Sequence, residues 1–134
     1  MSAKKRTPRK SSKRVKKKPP TGLDRAILCA RAILEKKAQD LMVLDIHEMS
    51  SIADYFVMCH GSGDRQVQAI AQSVIDKLRT EGVRLIGEEG FTEGRWVLLD
   101  CGDVVVHVFE ESCRRFYDLE RLWIHAEEVE VPEE

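Results

Sequence analysis

The stretch from Gly94 to Glu110 constrains the fold most, because it predicts two apolar strands joined by a tight turn. Its letters are GRWVLLDCGDVVVHVFE. Residues 96–99 form the first strand and residues 104–109 the second, with Gly102 in the turn, where a residue without Cβ adopts positive φ at little cost. Neither strand alternates cleanly between apolar and polar side chains, so both faces of the hairpin should be covered. Helices can cover one face, and a partner protein is a candidate for the other.

The remaining pattern predicts one α/β domain over residues 21–126. Thr21 and Asp24 stand at capping-box spacing at the start of the first helix. This first helix is predicted to end near Gln39–Asp40, and strands follow at 41–46 and 54–61. A second helix starts at Asp64 and is ended by Gly82, and a weaker strand at 83–90 leads to the two hairpin strands. The last helix is capped by Ser112 and carries Phe116, Leu119, Leu122 and Trp123. This order implies a mixed five-stranded sheet flanked by helices.

Both ends of the chain read as tails. Residues 1–20 contain ten of the 22 Lys and Arg and none of the 23 Asp and Glu, which leaves a net formal charge of −11 for residues 21–134. With three prolines and no apolar periodicity, this basic extension is expected to be disordered. It suits a polyanion such as rRNA, although a merely solubilising role is an equal alternative. Residues 127–134 carry five Glu and are expected to fray as an acidic tail.

The sequence offers no membrane segment and no recognisable cofactor or metal site. No apolar run reaches a spanning length, and no apolar signal core follows the basic start. The four cysteines form no CxxC pair, so we expect buried, reduced thiols in a cytoplasmic protein. The four histidines are scattered, and the even spacing of Cys101, His107 and Cys113 does not by itself make a zinc site.

The glycine turn at 61–66, GSGDRQ, is the one candidate for nucleotide chemistry. It lies between a strand and a helix, where nucleotidyltransferase folds place a phosphate loop. A nucleotidyltransferase also needs paired carboxylates for metal ions, but Asp45 begins no Asp-x-Asp or Asp-x-Glu pattern. An ordinary turn, capped by Ser62 or Asp64, is the preferred interpretation.

A second candidate site is an open face of the hairpin. Trp96 and Leu98 share one face of their strand, whereas Val97 and Leu99 lie on the other. If helices cover Leu99, then Trp96 and Leu98 form an exposed patch typical of a protein-binding hot spot. Arg114 and Tyr117 open the last helix beside it, either as the rim of this patch or as solvated side chains. The alternative is that a helix covers Trp96.

Two long segments resemble the ribosomal silencing factor family, also called RsfS or Iojap-like. They are KKAQDLMVLDIHEMSSIADYFVMCHGSGDRQVQAIA, from Lys36 to Ala71, and GRWVLLDCGDVVVHVFEESCRRFYDLERLW, from Gly94 to Trp123. The resemblance implies a nucleotidyltransferase-like fold without the active-site carboxylates. It also implies that the surface facing the partner comprises Trp96, Leu98, Leu99, Arg114 and Tyr117. The basic extension lies outside the family pattern.

The resemblance further implies a function without chemistry. Family members bind protein number fourteen of the large ribosomal subunit (uL-fourteen) and block joining of the subunits, which represses translation. Organellar relatives act in large-subunit assembly, which is the alternative role, and a free homodimer is implied as well. We therefore expect no enzyme activity and no cofactor, with a nucleotide-binding enzyme as the remaining alternative.

Overall fold

A computed structural model describes residues 21–132. The predicted basic extension, residues 1–20, and the last two residues lie outside the described part. The helices are α1 (Gly22–Glu35), α2 (Asp64–Thr80), α3 (Glu111–Tyr117) and α4 (Leu119–Leu122). The strands are β1 (Gln39–Asp45), β2 (Tyr55–Gly61), β3 (Gly87–Glu89), β4 (Trp96–Asp100), β5 (Val104–Glu110) and β6 (Glu127–Glu128). The α/β class is therefore confirmed.

The sheet is mixed, with the strand order β3-β4-β5-β2-β1-β6. Strands β2 and β5 are parallel, and every other neighbouring pair is antiparallel. The sheet has six strands rather than the predicted five, because Glu127 and Glu128 pair with Asp45 and Leu44. Fraying was the wrong expectation for these two residues. Val129 explains the difference, since it donates to the Val43 carbonyl over 2.7 Å and packs against the core.

The β4–β5 hairpin forms as the sequence predicts. Gly102 lies in its turn with φ +88°. The Gly102 N–H donates to Oδ1 of Asp100 over 2.9 Å, and the Cys101 N–H donates to the Val104 carbonyl over 2.8 Å. These bonds close the turn and place Trp96 opposite Phe109.

Two helix boundaries differ from the predicted ones because the backbone becomes left-handed nearby. Helix α1 has the predicted capping box but ends at Glu35, since Lys37 (φ +59°) turns the chain toward β1. Asp40 (φ +49°) lies in the irregular first residues of β1. The predicted last helix is divided into α3 and α4 by Asp118, at φ +50°. Its N-cap is Glu110, which accepts from the Ser112 N–H, rather than Ser112 itself.

The two faces of the sheet are covered to different extents. Helices α1 and α2 pack on one face over a large cluster of buried side chains, whereas α3 and α4 cover only part of the other face. The four cysteines are unpaired and buried, as predicted. Over residues 21–132, no helix has the length and apolar character needed to cross a membrane.

Gly90, just after β3, provides a test of the backbone that supports β4. Its φ is +83°, and a Cβ built there would lie 2.1 Å from the Trp96 carbonyl oxygen. We expect Gly90→Ala to lower the free energy of unfolding by at least about 2 kcal/mol, because both strain and a backbone clash oppose the side chain.

Urea denaturation measures this effect, and Gly63→Ala is the matched control. Gly63 has an extended φ of −158°, and a Cβ there meets nothing within 4 Å. Equal stability of the two variants would contradict the described β3–β4 connection.

Candidate protein-docking surface

Three aromatic side chains on β4 and α3 form a continuous surface, which we call the aromatic surface: Trp96, Phe116 and Tyr117. The ring centroids of Trp96 and Tyr117 are 4.9 Å apart, and those of Tyr117 and Phe116 are 5.1 Å apart. Phe116 is 81% exposed and Tyr117 is 52% exposed, while Trp96 is half-buried. Clustered exposed aromatic side chains are typical of protein-binding surfaces.

A cleft of about 590 Å³ opens beside the aromatic surface. The three aromatic side chains line it together with Cys113 and the charged residues Glu93 and Arg95. Charges of both signs thus border an apolar floor, which is the usual arrangement at the rim of a protein interface. The cleft can therefore receive an apolar or aromatic side chain from a partner protein.

Trp96 is tied to β5 by a hydrogen bond to His107. The indole Nε1–H donates to His107 Nδ1 over 3.1 Å. His107 is only 4% exposed, and its ring centroid lies 4.7 Å from that of Phe56. Burial lowers the pKa of His107 to about 4. The ring is therefore neutral at pH 7, which leaves Nδ1 able to accept the indole proton.

Arg114 fastens α3 and α4 to the sheet. Its Nη1 donates to the Asp40 carbonyl over 2.7 Å and to His60 Nδ1 over 3.0 Å, and its Nε donates to Glu120 Oε2 over 3.0 Å. Because His60 accepts at Nδ1, its ring proton is on Nε2, which donates to Gln39 Oε1 over 3.0 Å. The buried guanidinium thereby joins β1, β2 and α4.

The structure brings together three of the five side chains that the sequence analysis placed at the partner surface. Trp96 and Leu98 are half-buried in the same cluster, on the face that α1 and α2 leave open, and Tyr117 contacts Trp96. Leu99 is a correction: it is fully buried under α1 and α2, since alternate strand residues lie on opposite faces. Arg114 is a second correction, because its side chain is 6% exposed and supports the surface from behind.

Two apolar side chains of the predicted last helix are exposed to solvent. Phe116 is 81% exposed and Leu122 is 71% exposed. The left-handed Asp118 rotates α4 away from the helical period that relates these residues to Leu119. The adjacency of Phe116 and Tyr117 was the available sequence signal for an exposed aromatic side chain. Neighbouring residues of a helix point in different directions, so one short helix cannot turn both side chains toward the protein core.

The glycine turn is filled by a side chain of the protein itself. The Gln66 amide oxygen accepts from the Ser62 N–H over 2.8 Å, and its nitrogen donates to the carbonyls of Lys36 and Lys37 over 3.3 Å. A Cβ on Gly61 would lie 3.1 Å from the Gln66 amide oxygen. These contacts explain the glycine by packing rather than by phosphate binding.

The helix that follows the turn adds to this interpretation. Its N-cap is Gly63, with no side-chain hydrogen bond, so the predicted capping by Ser62 or Asp64 is wrong. Asp64 places an acidic side chain in the first helical turn, where it disfavours a second anion. Over the described residues, no three His, Cys, Asp or Glu side chains group as metal ligands.

Comparison with known proteins assigns the chain to a class of translation factors. Residues 19–134 match the family model described as "Ribosomal silencing factor during starvation". The chain belongs to this RsfS family. It is 49% identical over 96 residues to ribosomal silencing factor RsfS of Bacillus subtilis, which covers 72% of this chain and 81% of that protein. It is also 32% identical over 115 residues to the chloroplastic protein Iojap of Zea mays, covering 80% of this chain and 46% of that one.

Solved structures agree with the fold. A crystal structure of a Chromobacterium violaceum protein superposes with a TM-score of 0.76 at 35% identity, covering 85% of this chain and 94% of that one. A second, from Bacillus halodurans, has a TM-score of 0.69 at 41% identity and covers 77% and 93% of the two chains.

The buried Arg114 is expected to be essential for the packing of α3 and α4. Arg114→Ala leaves Glu120 without its ion pair and removes the donor to His60. We expect a loss of about 2–3 kcal/mol in the free energy of unfolding, less than for a fully buried pair because the Glu120 side chain is 32% exposed.

The control for urea denaturation is Arg115→Ala. Arg115 pairs with Glu111 on the same helix, but its side chain is 73% exposed. Its loss should change stability by less than about 0.5 kcal/mol. A similar, small effect at both arginines would refute the anchoring role of Arg114.

The lowered pKa of His107 makes folding stability depend on pH. The unfolded ring binds a proton near its ordinary pKa of 6.5, whereas the folded ring does so only near pH 4. As pH falls from 7.5 to 4, the unfolded state of the wild type gains a proton that the folded state largely does not. The free energy of unfolding of the wild type should therefore fall by roughly 3 kcal/mol more than that of a variant without this ring.

Urea titrations of the wild type and His107→Asn at a series of pH values give this difference directly. The subtraction removes other titrating groups, including exposed His47, whose pKa is raised by its hydrogen bond to Asp45. A difference in unfolding free energy that stays constant with pH would show that His107 titrates normally.

Proposed function

We propose that this protein binds the large ribosomal subunit through protein number fourteen and so prevents the two subunits from joining, without catalysing a reaction. The observation that carries the proposal is the aromatic surface, which lies on the sheet face that α1 and α2 leave open. Membership of the ribosomal silencing factor family supports a role in translation. The uL-fourteen partner and the steric block follow from the family resemblance of the hairpin and the last helical segments.

Surface chemistry supports a protein partner on this face. Phe116 and Tyr117 are exposed aromatic side chains, and aromatic residues are enriched among the few that dominate binding energy. Leu122, the last residue of α4, and Ile124, just after α4, are exposed apolar side chains as well, at 71% and 73%. An exposed apolar area on a small domain is best explained by a partner that covers it.

Charge supports a basic partner. Residues 21–134 carry a net formal charge of −11. Ribosomal proteins that contact rRNA are commonly basic, so opposite charge would steer the encounter and favour docking over non-specific contact. The same negative charge disfavours rRNA contact by the domain, and we assign any rRNA contact to basic residues 4–18.

Blocking the joining of the subunits requires only that the domain binds the large subunit and occupies space there. A bound domain of this size on a surface where the small subunit docks would exclude that subunit by steric overlap. The glycine turn is filled by Gln66, which supports a role without nucleotide chemistry. We further propose that the protein acts in the cytoplasm and forms a homodimer when free, which would protect the aromatic surface from water.

Sucrose-gradient sedimentation with purified subunits tests the proposed function. We expect the wild type to migrate with the large subunit and to reduce the peak of joined ribosomes. Phe116→Asp and Trp96→Ala should weaken large-subunit binding by about 30-fold or more, as expected for loss of a hot-spot side chain worth about 2 kcal/mol.

Ile52→Asp is the matched control, because Ile52 is also an exposed apolar residue, at 76%, but lies in the β1–β2 loop. It should bind normally. Co-migration without loss of joined ribosomes would favour an assembly role instead. Unchanged binding by folded Phe116→Asp would exclude the aromatic surface as the contact.

A further inference from the structure

The pair formed by His107 and Trp96 has a feature that core packing does not explain. With Nδ1 accepting from the indole, the neutral His107 ring carries its proton on Nε2. That Nε2 is buried and has no hydrogen-bond partner among the described residues. A buried donor left unsatisfied is unfavourable, because it gives up its hydrogen bond to water and gains none in return.

An apolar side chain at this position would avoid that cost. The ring of His107 lies among apolar and aromatic neighbours: its centroid is 4.7 Å from Phe56 and 6.0 Å from Phe109, and Leu98 is its partner across the strands. A leucine or phenylalanine would suit such surroundings without an orphaned polar atom. The hydrogen bond to Trp96 is the interaction that requires a histidine here.

The strand register makes this bond possible. Trp96 pairs with Phe109 and Leu98 pairs with His107, so Trp96 and His107 are diagonal neighbours on one face of the β4–β5 ladder. Diagonal side chains lie about 7–8 Å apart at the backbone, within reach of a long aromatic side chain. The indole spans this distance and meets Nδ1 at 3.1 Å.

The remaining contacts of Trp96 hold its rings without fixing their direction. Its centroid is 5.0 Å from Phe109 and 4.9 Å from Tyr117, at interplanar angles of 32° and 46°. Aromatic ring contacts tolerate a broad range of offset and tilted arrangements, whereas a hydrogen bond weakens steeply away from its preferred angle. The bond to His107 therefore selects which edge of the indole faces inward and which faces the cleft.

We propose that His107 is a positioning residue that fixes the indole of Trp96 in the orientation presented to a partner protein at the aromatic surface. The consequence for binding rests on the proposed function, whereas the consequence for the indole itself does not. A fixed orientation lowers the conformational cost of docking, since the rotamer is already selected before the partner arrives.

Nuclear magnetic resonance of the ¹⁵N-labelled full chain tests the positioning directly. The chain has two tryptophans, so Trp123→Phe identifies the indole resonance of Trp96. His107→Leu removes the acceptor, and we expect the Trp96 Nε1–H resonance to shift and its ¹⁵N relaxation to report greater mobility. His107→Asn, which keeps an acceptor atom at the δ position, should restore much of the wild-type order. An unchanged indole in His107→Leu would overturn the proposal.

Binding to purified large subunits provides the second measurement. We expect His107→Leu to weaken binding by about three- to tenfold, which is the range expected for loss of a single hydrogen bond. His107→Asn should stay within about twofold of the wild type, because it keeps an acceptor for the indole. In a Trp96→Phe background, which has no indole donor, His107→Leu should have no further effect. The same loss in both backgrounds would mean that His107 acts through general stability and would overturn the proposal.

The two measurements separate the possible failures. If the wild type itself does not bind large subunits, the proposed function is wrong, while the indole resonance still decides the positioning role. Thermal unfolding of each variant accompanies both measurements. If His107→Leu does not fold, then loss of Trp96 order in folded His107→Phe, with order retained in His107→Asn, supports the proposal, and equal order in the two overturns it.

Discussion

The buried guanidinium of Arg114 is the interaction on which the candidate site depends. It is 6% exposed, and it is compensated by Glu120 and by acceptors on β1 and β2. A charge in such a place is unfavourable unless it is paired and hydrogen-bonded, so the position of α3 and α4 is restricted to the arrangement that supplies these partners. That arrangement places Phe116 and Tyr117 beside Trp96. The nearly buried side chain of Arg114 thus determines the shape of the aromatic surface.

The unequal covering of the two sheet faces explains why the exposed aromatic side chains occur where they do. Helices α1 and α2 together cover a large cluster of buried side chains on one face, including Leu99. The segments after β5 are short, because Asp118 interrupts them, and they cover only part of the opposite face. The remaining apolar surface is left at the junction of β4 and α3. The left-handed residue Asp118, which ends α3, therefore also leaves the apolar area that is available to a partner.

Much of the fold followed from local patterns, while much of the site did not. The apolar hairpin with Gly102 and the helix α2 were predictable because their signals, two apolar runs around a turn glycine and a helical spacing of apolar residues, lie within short stretches of sequence. The alternating direction of side chains along β4 placed Leu99 on the face opposite Trp96, whereas the family resemblance assigned it to the partner surface. The structure buries Leu99 on that opposite face. The left-handed Asp118 and the strand at Glu127 depend on tertiary contacts that no local pattern records. The burial of Arg114 belongs with them, since its partners lie far away in sequence at Asp40 and His60.

Photo-cross-linking tests whether the aromatic surface is the part of this protein that meets the large subunit. A photoreactive benzoyl-phenylalanine in place of Phe116 keeps the phenylalanine ring and extends it from an exposed position, where the added benzoyl group has room, and the same residue in place of exposed Ile52 is the control. We expect position 116 to cross-link to protein number fourteen when the chain is bound to isolated large subunits, and position 52 not to do so. A cross-link from position 52 to that protein, with none from position 116, would show that the aromatic surface is not the docking surface.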